Sequence, residues 1–548
     1  MLHCGWSLFA NMSRALGWLV LVSALSAQVA ENQQGRIGIP QDWTHHHIFF
    51  SRRVFSDQPG LAAREPRAWQ QFSRETRAPA LTAFSLPKGS GGGSSNDQQR
   101  DWSMPLGTGH VAFGMSPAKF GFDDTVADCV NDYAVFGLDV SGVSGGQANL
   151  VAFNNLYSGT GGGCGPGNPT VLFSYDITTA TGGRIITAPV LSLDGKKIAF
   201  VESAGAVSIF HVLTWASGAG NGASATTSAV PGAGNSALLV TIPYAAAANT
   251  RSSPWVDYLN DVAYVGADNG RLYKFTGVFR GSPALAGAPW PVTVNAGSLL
   301  TAPVLDQFTG NLFVGDSQGI LYSVAAATAT VNKKLGVGKG NRNPAIIDGP
   351  IVDASNGTVF AVSSSDGNNA VLVQADAVTM KQLTKAAIGQ GSAGGTTINL
   401  FDGAFSNNYF NSPASGFMLV CGTGAKDNTP WRYTFGFTGK ILNTTPATSA
   451  QILNSTSSRC SPISEFFNSN IGGGTDFFFW GMTADCSGTN TSGCVISRTG
   501  NTTLMTNRAG GTSAIIEDGI SLDPQASSIY FTDQGASNAV KLTQATLQ

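Results

Sequence analysis

One short passage of this chain is written several times over. Leu300-Thr-Ala-Pro-Val-Leu-Asp306 is followed by Asn311-Leu-Phe-Val-Gly315 and then by Gly319-Ile-Leu-Tyr-Ser-Val324. The stretch before it runs Ser252-Ser-Pro-Trp-Val-Asp257, Asp261-Val-Ala-Tyr-Val-Gly266 and Gly270-Arg-Leu-Tyr-Lys-Phe275. Ile186-Thr-Ala-Pro-Val-Leu191 opens an earlier copy and Asp348-Gly-Pro-Ile-Val-Asp353 a later one. Weaker copies open at Pro117, Asp402, Ser461 and Ser513. The eight openings are spaced by roughly 47 to 72 residues, and a unit of about 40 to 50 residues holds four short strands. Each run is four to six residues, rich in β-branched and aromatic side chains and bounded by Gly, Asn or Asp, which is the pattern of antiparallel strands. Asp268-Asn-Gly270 and Asp366-Gly367 fall between second and third strands, where a hairpin turn needs positive φ.

A single four-stranded unit cannot bury both of its faces. Stacking units around an axis buries both and leaves only short edges. The expected fold is therefore all-β: a single β-propeller of about eight four-stranded blades, with seven as the alternative. The last copy shows three strands and needs a fourth. Trp102-Ser-Met-Pro-Leu106 resembles Trp290-Pro-Val-Thr-Val294, which stands at a fourth-strand position, so it is expected to close the ring. Composition agrees. Gly accounts for 68 of 548 residues, about twice the usual share, and charged residues for only 12 %, about half of it. A hydrophobic content of 42 % separates this low charge from disorder.

The other segments read differently. Residues 1–26 have the form of a secretory signal: Arg14, an apolar run from Leu16 to Ala27 too short to span a bilayer, and small residues at Ala24 and Ser26. Residues 27–87 form a non-repeating, arginine-containing arm with a short helix expected between Ala62 and Arg77. Residues 88–100, beginning Lys88-Gly-Ser-Gly-Gly-Gly, read as a flexible linker, and 101–548 as the propeller. No later run approaches eighteen apolar residues, so no membrane span is expected and the location is secreted or periplasmic. Six cysteines follow the signal, an even count that suits disulfides in an exported chain. Proximity within the repeats favours Cys129–Cys164, Cys421–Cys460 and Cys486–Cys494 among the fifteen pairings. A metal cluster lacks any CxxC pair.

Tyr264-Val-Gly-Ala-Asp-Asn-Gly-Arg-Leu-Tyr273 and Val314-Gly-Asp-Ser-Gln-Gly-Ile-Leu-Tyr322 resemble the repeat of the PQQ-like (quinoprotein-like) β-propellers, and the resemblance extends over residues 117 to 543. It implies a propeller fold. Its members include quinone-dependent dehydrogenases and non-catalytic scaffolds of the bacterial envelope. PQQ and Ca²⁺ thereby enter as cofactors to be considered. The dehydrogenases' adjacent cysteine pair is absent, and Asp306-Gln-Phe-Thr-Gly310 is the nearest approach to their AxDxxTGxxxW motif.

No Walker A, HExxH, CxxCH or DxDxDG motif is present. A net charge of −2 supplies no basic field for phosphates, so no nucleic-acid partner is expected. Two groups of residues are candidates. In the tract Asp42-Trp-Thr-His-His-His-Ile-Phe-Phe50, a strand would put His45 and His47 on one face as ligands for a transition metal. The alternative is an extended arm packed on the ring, with Ile48 and Phe50 as anchors. At the channel mouth, Asp348 and Asp402 open two blades, with Asp268, Asn269, Asp316 and Asp366 on turns of the same face. This set suits a cation or polar ligand, and ordinary turn chemistry is the alternative. His211 reads as a buried blade residue. The function expected is a monomeric, secreted, non-catalytic scaffold or binding propeller presenting a face to an extracellular protein or polysaccharide. The alternative is an extracellular polysaccharide lyase or hydrolase, or a PQQ-dependent oxidoreductase, working at the central channel.

Overall fold

The computed structural model describes residues 38–57, 59–62, 65–76, 98–123, 126–159, 162–338, 345–468, 474–486, 492–519 and 527–544. Within them the chain forms eight antiparallel sheets of four blade strands each, arranged as one ring. The innermost strands are Ala118–Gly121, Val190–Leu191, Trp255–Asp257, Val304–Asp306, Ile351–Asp353, Ala404–Phe405, Ser464–Asn468 and Ile516–Asp518. Each begins within a few residues of an opening read from the sequence, which confirms eight blades over seven. We number the blades 1 to 8 in that order.

The inner and second strands shown here are buried almost throughout, whereas an outermost strand such as Thr330–Gly336 of blade 4 is largely exposed. Middle strands lie between neighbouring blades, and outer strands face water on one side, so exposed positions concentrate at the rim. At the tip of blade 3, Gly270 has φ +74°, and a Cβ there would meet the Asn295 carbonyl oxygen at 1.7 Å. Only glycine fits that turn.

The ring closes as expected. Gln98–Pro105 pairs antiparallel with Asn538–Gln544 as the outer strand of blade 8. Trp102 is buried, and its indole N–H donates to the Leu156 carbonyl at 2.9 Å, fastening the closing strand to blade 1. The strand starts at Gln98, so the last three residues of the expected linker belong to the ring. The remainder of the linker and the signal segment lie outside the described residues. All three expected disulfides form: Cys129–Cys164, Cys421–Cys460 and Cys486–Cys494.

The arm packs on the ring and adds a strand to two of its blades. Ile39–Gln41 adds antiparallel to the inner strand of blade 1. Ile48–Phe49 pairs parallel with the inner strand of blade 5. In a ring of eight these blades stand opposite each other, so the eight residues from Gln41 to Ile48 cross the central channel. Beyond it, Ser51 donates its amide to Ser355 Oγ, and Phe50 packs on Phe308. Both partners sit in turns between first and second strands, so the arm emerges on the face carrying those turns. The helix Pro66–Thr76 matches the one expected between Ala62 and Arg77. Among the described residues no helix is long and apolar enough to cross a membrane.

Candidate functional site

The crossing segment is not the extended strand its sequence suggested. Asp42 Oδ1 accepts the Thr44 amide at 3.1 Å and the Thr44 hydroxyl at 2.5 Å, and the Asp42 carbonyl accepts the His45 amide. A side chain that captures the amide two residues on starts a turn, and Thr44–His47 completes it as one helical turn. Trp43 holds it in place, edge-on to Trp255 with its indole N–H on the Pro254 carbonyl at 3.1 Å. In a helical turn, residues two apart point about 200° from each other. His45 accordingly turns to Asp42 and to Gln70 of the arm helix, while His47 turns to blade 5. The pairing of His45 with His47 on one face is therefore corrected. Ile48 and Phe50 are buried anchors.

This turn floors a recess at the axis, enclosing about 1030 Å³ of space outside the atoms, part of it open to solvent. Its wall includes Ser116, Ala188, Ser253, Ala302, Asp348, Gly403, Pro462 and Ala514, one residue from each of the eight blades. All of them precede inner strands, so the recess lies on the face where consecutive blades connect.

The two candidate groups meet here, because His47 Nε2 lies 3.5 Å from Asp348 Oδ1. His46 stands edge-on to His47, with ring centroids 5.1 Å apart. Burial pushes the His46 imidazole down to about 3 and that of His47 down to about 4, so both are neutral at neutral pH. Burial raises Asp348 to about 6. Asp402 lies behind it, its amide donating to Asp348 Oδ2 at 3.2 Å. Burial and the neighbouring Asp348 carboxylate hold Asp402 far above the usual range. Two carboxyls this close resist ionising together.

Asp268, Asn269, Asp316 and Asp366 occupy the expected turns but do not join the recess wall. Asp316 is fully buried and accepts from Asn295, Tyr322 and two backbone amides. Asp268 accepts from Thr250, Asn269 donates to Tyr273, and Asp366 pairs with Lys385 at 2.9 Å. These contacts are turn chemistry. His211 is fully buried, 2.9 Å from Glu202 Oε2.

The recess also holds residues that the sequence reading passed over: Arg74 of the arm helix, Arg251, Glu465 and Glu517. A signal for two of them was present. Glu465 and Glu517 are ionisable residues just inside the apolar inner strands of blades 7 and 8, in Ile463-Ser-Glu465 and Ile515-Ile-Glu517. Burial raises both carboxyls.

Among the described residues no group of three or more His, Cys, Asp or Glu is placed to hold a metal ion.

The Asp348 environment sets a pH dependence. A carboxyl raised in the folded state contributes stability that is fully present below its unfolded value and is lost as pH rises through about 6. Asp348→Asn removes that loss. From pH 4 to pH 7, the stability difference between variant and wild type is expected to move in the variant's favour, as read by denaturant midpoints across that range. A difference independent of pH would contradict the assignment.

No known protein family matches the chain, and no curated protein matches it in sequence. Solved structures are similar to it in fold. The Dos1 propeller is 13 % identical, with 82 % of this chain covered, 96 % of that one, and a TM-score of 0.48. BamB from Moraxella catarrhalis is 12 % identical, covering 81 % and 99 % at a TM-score of 0.40. A chain of the mitotic checkpoint complex is 10 % identical, covering 84 % and 98 % at 0.41. The assignment of the chain as an eight-bladed β-propeller rests on its own strand pairing.

Proposed function

We propose that this protein is a secreted or periplasmic binding propeller of PQQ-like type, non-catalytic and monomeric, which engages an extracellular protein or polysaccharide through the face that carries the axial recess. The observation that carries this reading is the recess itself. All eight blades and the arm contribute to it, and several of its buried polar atoms have no hydrogen-bond partner, among them Arg251 Nη1, His46 Nε2 and Ser116 Oγ. Buried polar groups are ordinarily satisfied, so such atoms suit a site completed by a ligand. Three disulfides accord with an oxidising compartment.

The test is capture of polysaccharides and extracellular proteins by wild type and by Arg251→Ala. The Arg251 side chain makes no direct hydrogen bond at Nη1, so the variant is expected to keep its melting temperature. Its retention of the partner is expected to fall roughly tenfold, the loss of one charged hydrogen bond. Undiminished retention would place the binding surface elsewhere. A second reading, catalysis at the channel, is favoured by one contact: Asp348, raised to about 6, beside the neutral His47 is a pair suited to proton transfer. Turnover of a captured polymer that Asp348→Asn abolishes would establish that reading.

A further inference from the structure

We infer that the group seated in the recess is a primary ammonium carried on a short alkyl chain; this rests on the reading of the recess as a ligand site. Around Arg74 the fold gathers four carboxyls, Glu75, Glu465, Asp476 and Glu517, against one guanidinium. Arg74 spends its nearest contacts on Glu75, with Nε at 3.1 Å and Nη2 at 2.8 Å from Oε1, and reaches Glu465 Oε2 only at 3.6 Å. Oxygen atoms are left over. Glu465 is more than nine-tenths buried and lines the recess, yet its Oε1 has no hydrogen-bond partner; Glu517 Oε1 has none either.

Glu465 also shares a hydrogen bond with Asp476; the two buried oxygens that face the cavity without a partner call for donors, and a positive donor would at the same time draw these raised carboxyls toward their ionised form. A metal ion would need three or more ligands converging at metal–oxygen distances, which the described residues do not provide. A primary ammonium has three N–H donors and reaches acceptors at hydrogen-bond distance, so more widely spaced oxygens suffice. The recess lining also includes the apolar side chains of Ile463, Ile515 and Phe405, which suit methylene groups.

Calorimetric titration of the full-length protein with diaminopentane is expected to show saturable binding, weakened roughly tenfold or more by Glu465→Gln. Pentanediol and glutarate, of the same length but neutral and anionic, are expected not to bind at about 10 mM, far above a useful affinity. Thermal melts check that Glu465→Gln is folded, and Glu517→Gln supplies a second, independent variant. Equal binding of the diol or of glutarate would overturn the inference. So would diamine binding that both variants leave unchanged, or saturable Ca²⁺ binding that Glu465→Gln abolishes. Displacement of a captured partner by diaminopentane would put the amine on that partner, and binding without displacement would make it a separate small molecule. If Arg251→Ala weakens partner capture while no amine binds, the binding reading stands and the ammonium inference alone fails.

Discussion

Arg67→Ala is expected to destabilise the protein by about 3–5 kcal/mol, the cost of leaving buried charge without its partner. Arg67 is 2 % exposed, although it belongs to the arm. Its Nη1 lies 3.1 Å from Glu65 Oε1, its Nε donates to Thr44 Oγ1 at 2.7 Å, and its Nη2 donates to the Val256 carbonyl at 3.0 Å. The guanidinium also stacks over Trp255 and Tyr258, 4.4 and 4.7 Å from the ring centroids. One side chain thus joins the arm helix, the helical turn in the channel and the inner strand of blade 3. Alanine would leave Glu65 and Asp42, both buried, without their cation and open a void beneath two aromatic rings. Arg67→Lys keeps the charge but loses the planar fork, and is expected to fall between wild type and Arg67→Ala. Denaturant midpoints measure the loss, and limited proteolysis should show faster cleavage within residues 38–76. An arm as protease-resistant as wild type would mean that Arg67 is not what fastens it.

Lys119→Met is expected to cost a similar amount, about 3–5 kcal/mol, by the same physics at the joint between blades 1 and 8. Lys119 is 1 % exposed, with Nζ 3.0 Å from Asp518 Oδ2 and 3.9 Å from Asp132 Oδ2. Tyr157 donates its hydroxyl to the same Asp132 oxygen at 2.7 Å. Without the ammonium, two buried carboxylates would face each other across the seam where the ring closes. Because protonation relieves an unpaired buried carboxylate, the deficit should shrink as pH falls toward about 4, the ordinary range of aspartate. Adding Asp518→Asn to Lys119→Met should recover part of the stability at neutral pH. If it recovers nothing, the network does not act as a unit.

Much of the ring was legible because its information is local. Consecutive strands of a blade pair through tight turns, so the alternation of apolar runs with Asp-Asn-Gly and Asp-Gly turns reports the pairing directly. Blade count follows from counting openings, as Asp348-Gly-Pro and Ser461-Pro-Ile show. The closing strand was legible by its likeness to Trp290-Pro-Val-Thr-Val294. Cysteine pairing was legible because each pair lies within a stretch of at most 39 residues.

The candidate site was half legible. Asp348 and His47 were both singled out, one as a blade opening and one in the histidine tract, but nothing local connects them. Their meeting depends on an arm that pairs with blades 1 and 5 and makes contacts such as Ser51 to Ser355, 304 residues apart. The helical turn that redirects His45 was equally hidden. Asp42 begins it, but the packing of Trp43 on Trp255 holds it in the channel.

The sequence by itself determined the repeating blade, the closed ring and the three disulfides, since each follows from residues that are near neighbours or periodic copies. Only the tertiary structure decided that the arm crosses the channel, that its histidines meet Asp348, and that Glu465 and Glu517 face one cavity. The physical reason is that a ring of eight blades brings residues from every part of the chain to one axis. Side chains converging there share burial and charge with partners that no local pattern encodes.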